Sequence, residues 1–132
     1  MSKIKRRMLY VDATGYKDNT EFKISLYDPE INLTNILALK DISTSNEAEK
    51  YAILYGILYS VKSNLKSVHI LCDNQNATES KELRELAAYA SIRILWIPRE
   101  LNTIADKIAK LEPTVKEKEW YLLHFIYKNL RV

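Results

Sequence analysis

The sequence predicts one α/β domain, in which a five-stranded mixed sheet has helices on both faces and is followed by a C-terminal helix. Three observations predict this fold. Three strand patterns joined by short turns come first, which is typical of an antiparallel meander. Helix and strand patterns then alternate, which is typical of parallel strands joined by helical crossovers. Finally, 132 residues, 47% of them hydrophobic, with two glycines and three prolines, suffice for one core and contain no linker-like stretch.

The first three strands are predicted from local hydrophobic patterns. Residues 8–11 form a continuous apolar run, typical of a strand covered on both faces, and the run ends in Asp12. A turn is expected over residues 15–20. Residues 21–27 alternate polar and apolar side chains, which predicts a half-buried second strand. A third strand is expected over residues 33–39, antiparallel to the second.

A long buried helix follows these strands. Thr44, Ser45 and Asn46 are candidate N-caps, and acidic residues in the first turn suit the helix dipole. Apolar residues then cover most of the circumference up to about Lys62, which is typical of a helix packed against a sheet.

The second half of the chain alternates two strands with two helices. We predict a fourth strand over residues 67–72, a more exposed helix over 76–90 and a fifth strand over 92–97. A further helix is predicted over 101–111, with Leu101, Ile104, Ala105, Ile108 and Ala109 on its inner face. Strands one, four and five should run parallel, with right-handed crossovers.

The C-terminal segment is strongly apolar. We predict a domain over residues 1–111 and a helix within residues 112–132, where Trp120, Phe125 and Tyr127 occur. This helix packs either on the same domain or at a dimer interface. Intramolecular packing, and hence a monomer, is the preferred interpretation.

Composition limits the partners and the compartment. The formal charge of +3 is compatible with a phosphate-rich partner without demonstrating one. Part of the excess comes from Lys3, Lys5, Arg6 and Arg7, interpreted as a solvated start of the first strand. The single Cys72 excludes an internal disulfide and a multi-cysteine zinc site. The sequence has no signal-peptide pattern and no long apolar segment, so we expect a cytoplasmic protein with no membrane partner.

Acidic residues follow two strands that are expected to be parallel neighbours. Asp12 and Asp73 should therefore meet at one edge of the sheet, although each alone is also common as a turn or cap residue. Like charges this close raise each other's pKa unless a cation lies between them, and magnesium is the common hard cation. Glu47 or Glu49 in the long helix and Asp106 in a later helix are candidate additional ligands. Such a set suits metal-assisted phosphodiester hydrolysis.

Four motifs in this order resemble the ribonuclease H family, type 1, in its cellular and plant-like branch. They are VDAT at 11–14, TSNEAEKYA at 44–52, LCDNQ at 71–75 and IPRELNTIADKIAK at 97–110. The resemblance covers roughly residues 7–111. It implies the ribonuclease H-like fold, and cleavage of the RNA strand of an RNA–DNA hybrid with two Mg²⁺ or Mn²⁺ ions.

The resemblance also implies roles for individual residues. The catalytic and metal-binding set would be Asp12, Glu49, Asp73 and Asp106, which selects Glu49 over Glu47. Substrate contacts are expected from the residues that match the motifs or lie beside them: Thr14, Thr44, Asn46, Gln75, Arg99 and Asn102.

The sequence also departs from the family pattern. The family's mobile histidine before the last aspartate has no counterpart in residues 96–101, where Arg99 or Glu100 would substitute in part. His69 and His124 are interpreted as structural. The basic helix and loop that some members insert after the second helix is missing as well.

Two alternatives to a hybrid-cleaving enzyme therefore stay open. One is a catalytically weak or inactive nucleic-acid-binding domain of the same fold. The other is a nuclease of that fold that acts on double-stranded RNA or branched DNA.

Overall fold

A five-stranded mixed sheet with the strand order β3-β2-β1-β4-β5 organises the chain. The computed structural model describes residues 6–16 and 21–130. Strands β1, β2 and β3 are antiparallel neighbours, whereas β1, β4 and β5 are parallel, which confirms the predicted mixed sheet. The strands are β1 (Arg7–Tyr16), β2 (Glu21–Asp28), β3 (Leu33–Ala38), β4 (Val68–Cys72) and β5 (Ile92–Trp96).

Helices cover both faces of the sheet, as predicted. One face packs on α1, and α4 packs on the opposite face against β1 and β2. A 3₁₀ turn at Arg99–Leu101 precedes α4. The helices are α1 (Ser45–Lys62), α2 (Gln75–Thr78), α3 (Lys81–Tyr89), α4 (Thr103–Ala109) and α5 (Lys118–Leu130).

Strand β1 differs from its prediction in length and in burial. It does not end at Asp12, because Asp12 pairs with Ser25 of β2 and the ladder continues to Tyr16. Its pairing with β4 stops earlier, at Tyr10 opposite Leu71, so β1 and β4 separate just before Asp12. The predicted turn over residues 15–20 is thus shortened, and residues 17–20 lie outside the described part of the chain.

Burial along β1 and β2 corrects two further expectations. Leu9 and Val11 are fully buried under α1, whereas Met8 and Tyr10 are only half-buried, so β1 is not covered equally on both faces. Conversely, β2 is buried on both faces rather than half-buried, because α4 covers its polar side. Ser25, for example, is 1% exposed, and its Oγ donates a hydrogen bond to the Ala105 carbonyl at 2.8 Å.

Helix α1 lies close to the sheet and forms the centre of the main core. Thr44 is its N-cap, with Oγ1 accepting a hydrogen bond from the Glu47 N–H at 3.2 Å. Gly56 permits the close approach, since a Cβ at this position would lie 3.0 Å from Cδ1 of Ile70 in β4. The predicted buried helix is therefore observed with nearly the predicted bounds.

The predicted helix over residues 76–90 is divided in two. Asn74 caps the short α2, and Ser80 caps α3 by accepting a hydrogen bond from the Leu83 N–H at 3.4 Å. A single helix was wrong because Ser80 satisfies the first backbone N–H groups of a new helix.

Helix α4 is shorter than predicted and buries only part of the predicted set. Leu101 and Ile104 were expected on the inner face, but they are 65% and 52% exposed. The small residues Ala105 and Ala109, expected on the same face, are fully buried against the sheet. Their size allows the α4 backbone to approach β2, where Ser25 bonds to a helix carbonyl.

Helix α5 packs within the same chain, on α1. Trp120, Leu123 and Tyr127 are buried, and the Tyr127 ring stacks on Tyr51 of α1 with 3.9 Å between ring centroids. A domain boundary at residue 111 and a monomeric state remain predictions. In the described ranges, no helix has the length and hydropathy needed to cross a membrane.

The start of β1 carries a partly buried ion pair at Arg7, so the interpretation as a solvated start was wrong for this residue, whereas Arg6 is exposed. Arg7 donates two hydrogen bonds to Asp28, at 3.0 and 2.7 Å, and the Tyr59 hydroxyl donates a third to Asp28 at 2.7 Å. Burial would raise the pKa of Asp28, but these hydrogen bonds outweigh it and lower the pKa. Lys3 and Lys5 lie outside the described residues.

Candidate functional site

Three carboxylates converge where β1 and β4 separate. One oxygen from each of Asp12, Glu49 and Asp73 lies within 4.8 Å of the other two. Asp12 comes from the middle of β1, Asp73 directly follows β4, and Glu49 projects from the first turns of α1. The geometry therefore brings together three of the four predicted acidic residues, and it places Glu49 rather than Glu47 in the cluster.

Burial and mutual repulsion perturb these carboxyl groups. Burial raises the pKa of Asp12 to about 7, and the charge of Asp73 adds to the shift. Burial likewise raises the pKa of Glu49 to about 9, with Asp12 as the next cause. The hydrogen bond between the two side chains raises the pKa of Glu49 and lowers that of Asp12. In the absence of metal, the repulsion and the burial therefore favour a protonated form of the Asp12–Glu49 pair.

Asn102 fixes the position of Asp73 against the sheet. Its Nδ2 donates hydrogen bonds to the Val11 carbonyl at 2.9 Å and to Oδ2 of Asp73 at 3.1 Å. The side chain is 1% exposed, and its Oδ1 is buried with no hydrogen-bond partner among the described residues. Because an uncompensated buried acceptor is costly, this oxygen is a candidate additional ligand beside Asp73.

Cys72 contacts the cluster from the core side, a role that the sequence interpretation missed. Its thiol lies 3.5 Å from Oε2 of Glu49, and the Asn74 N–H donates to Sγ at 3.5 Å. Burial raises the pKa of the Cys72 thiol well above its usual value, so the thiol keeps its proton and donates a hydrogen bond to Glu49. The feature of the sequence that could have indicated this contact is the position of Cys72 directly before Asp73, at the buried end of β4.

Asp106 lies at the margin of the cluster. It is not among the three residues whose oxygens fall within 4.8 Å of one another. Its side chain is 42% exposed and lies 3.6 Å from Nζ of Lys110, although its charge contributes to the raised pKa of Asp12. Asn102, four residues earlier, is buried, whereas Asp106 is turned toward solvent.

The remaining predicted substrate-binding residues surround the site without bonding to the cluster. Thr14 lies on β1 opposite Lys23, and Thr44 serves as the α1 cap. Asn46, one α-helical turn before Glu49, has a buried Oδ1 with no hydrogen-bond partner in the described ranges. Gln75 Nε2 donates to Glu79 at 3.4 Å, and Arg99 is exposed in the 3₁₀ turn.

Neither histidine belongs to the cluster. His124, in α5, is hydrogen-bonded through Nδ1 to the Tyr51 hydroxyl at 2.9 Å. His69, in β4, is half-buried, and burial together with the charges of Arg6 and Arg93 lowers its pKa. Both positions agree with the structural interpretation of these side chains.

Trp96 is a second residue near the site that the sequence interpretation missed. It lies within the predicted fifth strand, and it is 50% exposed at the last position of β5. Its indole N–H donates a hydrogen bond to the backbone carbonyl of Asp73 at 3.2 Å. The feature that could have indicated this position is an aromatic residue at the end of an edge strand.

The donor atoms at this site suit a hard divalent cation. Three carboxylates and an uncompensated amide oxygen offer only oxygen ligands, which magnesium and manganese prefer. A cation there would also offset the repulsion that raises the carboxyl pKa values. The residues present therefore fit a divalent metal.

The sheet order and the position of the carboxylates place the chain in the ribonuclease H-like class of α/β folds, and two solved structures agree. Ribonuclease H1 from the halophilic archaeon Halobacterium salinarum NRC-1 is 17% identical, with a TM-score of 0.59, covering 80% of this chain and 95% of that one. The N-terminal RNase H domain of a Mycobacterium tuberculosis protein, solved as a fusion with maltose-binding protein, is 20% identical. Its TM-score is 0.52, and the match covers 78% of this chain and 91% of that one.

These similarities establish the fold. No protein-family model and no curated protein sequence matches the chain.

Proposed function

We propose that this protein is a metal-dependent endonuclease that hydrolyses the RNA strand of RNA–DNA hybrids by a two-metal-ion mechanism. The observation that carries this proposal is the convergence of Asp12, Glu49 and Asp73 within 4.8 Å at the point where β1 and β4 separate. Buried like charges destabilise a fold unless they bind a counter-ion, so a purely structural role does not account for the cluster.

Divalent ions would be held by Asp12, Glu49 and Asp73, with Asp106 at the solvent side and the free Oδ1 of Asn102 nearby. Bound ions of this type activate water as a nucleophile and stabilise the leaving oxygen of a phosphodiester.

The protein's own residues orient the ligands and bind the substrate. Asn102 fixes one oxygen of Asp73 through its amide, and the Cys72 thiol orients Glu49 from the core side. Asn46 and Gln75 carry amide groups at the N-terminal ends of α1 and α2, which suits hydrogen bonding to base edges and 2′-hydroxyls in a minor groove. Thr14, Thr44 and Arg99 complete the proposed substrate contacts.

The proposal is tested by cleavage of a labelled RNA–DNA hybrid by wild type and Glu49→Gln. Loss of one ligand carboxylate should lower the cleavage rate by about a hundredfold or more, as typical for removal of a key electrostatic group. Glu112→Gln is the matched control, because Glu112 is exposed beyond the end of α4 and should leave the rate unchanged. Equal rates for wild type and Glu49→Gln would contradict the proposal.

A second candidate is a binding domain of the same fold with little or no catalytic activity. The position of the histidines favours it, since neither His69 nor His124 is within the carboxylate cluster. Binding of the hybrid without cleavage, in either metal, would support this candidate. Cleavage of double-stranded RNA or of a branched DNA in preference to the hybrid would instead indicate a different substrate for the same site.

A further inference from the structure

A shallow groove of about 240 Å³ runs along the outer edge of the sheet. It is lined by all five residues of β5 and by Arg84 of α3. Since β5 is the last strand in the order β3-β2-β1-β4-β5, one edge of its backbone has no neighbouring strand from residues 6–16 and 21–130. The groove therefore combines an open strand edge with the side chains of β5 and α3.

One end of this groove is hydrogen-bonded to the backbone of Asp73, whose carboxylate belongs to the cluster. Trp96 forms that end, and its indole N–H bonds to the carbonyl of Asp73 at 3.2 Å. The hydrogen bond holds the ring in place while half of the side chain stays exposed. An anchored but exposed aromatic ring beside a reactive site is suited to stacking on a ligand rather than to packing in the core.

The groove carries positive charge and no carboxylate among its lining residues. Arg84 and Arg93 are both exposed. Arg84 is positioned by a hydrogen bond from its Nε to the Thr78 carbonyl at 2.6 Å, which leaves the other end of its guanidinium directed away from this contact. Guanidinium groups bind phosphates with paired hydrogen bonds, so the two arginines suit a chain of phosphates.

We propose that this β5 groove, formed by Arg84, Arg93 and Trp96, binds a single strand of the nucleic-acid substrate as the strand leaves the carboxylate cluster. Trp96 stacks on a base of that strand, and Arg84 and Arg93, which approach the β5 edge from opposite faces of the sheet, contact its phosphates. The inference rests on the proposed function, because it extends the binding surface of the same site.

A nucleic acid explains these features better than a peptide does. A peptide that added a strand to β5 would use the backbone edge, but it would leave two arginines and an exposed indole without a specific role. Stacking on aromatic rings together with cationic contacts along a backbone is the usual way in which proteins bind single nucleic-acid strands. The arginines also offset the repulsion of a polyanion by the nearby carboxylates.

Tryptophan fluorescence offers a direct test, because the chain has two tryptophans and only Trp96 is exposed. Trp120 is 3% exposed in the core. Titration of the full chain with an RNA–DNA hybrid, with Ca²⁺ replacing Mg²⁺ so that the probe stays intact, should quench the exposed component. Trp96→Phe should abolish the quenching, and Trp96→Ala should weaken binding about tenfold. Poly-glutamate is the control polyanion, and equal quenching by poly-glutamate would overturn the stacking role.

Salt dependence tests the arginines separately. Arg93→Gln should lower the slope of log affinity against log salt concentration by about one, since one phosphate contact is lost. Lys128→Gln is the matched control, because it removes one exposed positive charge from α5, which packs near β3 at the opposite edge of the sheet. An unchanged slope in Arg93→Gln, or an equal loss in Lys128→Gln, would contradict the groove.

These outcomes separate this inference from the proposed function. Metal-dependent cleavage of the hybrid without quenching of Trp96 would overturn the groove and leave the nuclease proposal intact. Quenching by the hybrid in a protein that cleaves no substrate would support the groove and contradict the nuclease. Binding by an acidic peptide, with no response to nucleic acid, would assign the β5 edge to a protein partner and overturn the inference.

Discussion

At the scale of single residues, Asn102 connects the fold to the site. Its amide donates to the backbone of β1 at Val11 and to the side chain of Asp73, so one group sets the separation of two strands and the orientation of a ligand carboxylate. The identity of this residue was predictable from its motif, but its contacts were not, because they depend on where the short α4 begins.

Replacement of Asn102 should therefore affect both stability and catalysis. Asn102→Ala leaves the buried Val11 carbonyl without its donor, which should lower the free energy of unfolding by about 1–3 kcal/mol. Urea unfolding measures this loss, and the cleavage rate should fall in protein that is still folded. In the absence of metal, Asn102→Asp should lower the free energy of unfolding more than Asn102→Ala does, because it places a further negative charge beside Asp73. A fully stable and fully active Asn102→Ala variant would contradict this role.

The raised carboxyl pKa values predict an unusual pH dependence of the metal-free protein. The ordinary pKa values are 3.8 for the Asp12 carboxyl and 4.5 for the Glu49 carboxyl, and burial raises these pKa values to about 7 and about 9 in the folded protein. At pH values between the ordinary and the raised pKa values, the folded state binds more protons than the unfolded state. The free energy of unfolding therefore falls as pH rises through this range. We expect the free energy of unfolding to fall by about 2 kcal/mol across this range.

Thermal unfolding in chelator between pH 5 and about 8 measures this effect. Glu49→Gln should reduce the fall, and saturating Mg²⁺ should remove most of it by stabilising the ionised carboxylates. A free energy of unfolding that falls no more in wild type than in Glu49→Gln over this range would be evidence against a repulsive cluster.

At the scale of helices and strands, burial of small residues explains most of the differences from the sequence prediction. The pattern in α4 suggested that Ile104 faces the core together with Ala105 and Ala109. Only the two alanines are buried, because the helix backbone approaches β2 closely. Periodicity reports which side chains are apolar, but it does not report how near two backbones pack. The break between α2 and α3 at Ser80 was missed for a related reason, since a cap residue within a polar helical pattern is also compatible with a continuous helix.

Helix α5 should be required for stability even though it lies outside the predicted catalytic region. Tyr127 stacks on Tyr51 and is 7% exposed, so Tyr127→Ala should lower the free energy of unfolding by about 3 kcal/mol. Phe125→Ala is the matched control, because Phe125 is 65% exposed on the same helix and should change stability little. Urea unfolding compares the two variants. Equal stability of Tyr127→Ala and wild type would indicate that α5 is not docked as described.

The oligomeric state is a separate prediction at the same scale. We expect the full chain to be a monomer, since the aromatic residues Trp120 and Tyr127 are already buried within the chain. Light scattering at several concentrations measures this directly. A dimer that dissociates in Phe125→Ser would instead assign the exposed side of α5 to an interface between copies.

At the scale of the whole molecule, the topology was predictable and the site only partly so. The order of strand and helix patterns was sufficient to predict the mixed sheet, since short turns and helical crossovers leave few arrangements. Asp12 and Asp73 were predictable as neighbours for the same reason. The contributions of Cys72 and Trp96 were not, because they depend on which side chains face the gap between β1 and β4 and on which strand forms the edge.

The measurement that tests the central claim most directly is cleavage of an end-labelled RNA–DNA hybrid, with Mg²⁺, Mn²⁺ or chelator, by wild type and Asp73→Asn prepared in parallel. The carboxylate cluster predicts metal-dependent cleavage of the RNA strand by wild type, with none in chelator and a loss of about a hundredfold or more in Asp73→Asn. Cleavage that persists in chelator, or that is equal in Asp73→Asn, would contradict the assignment of these carboxylates as the metal-binding catalytic site.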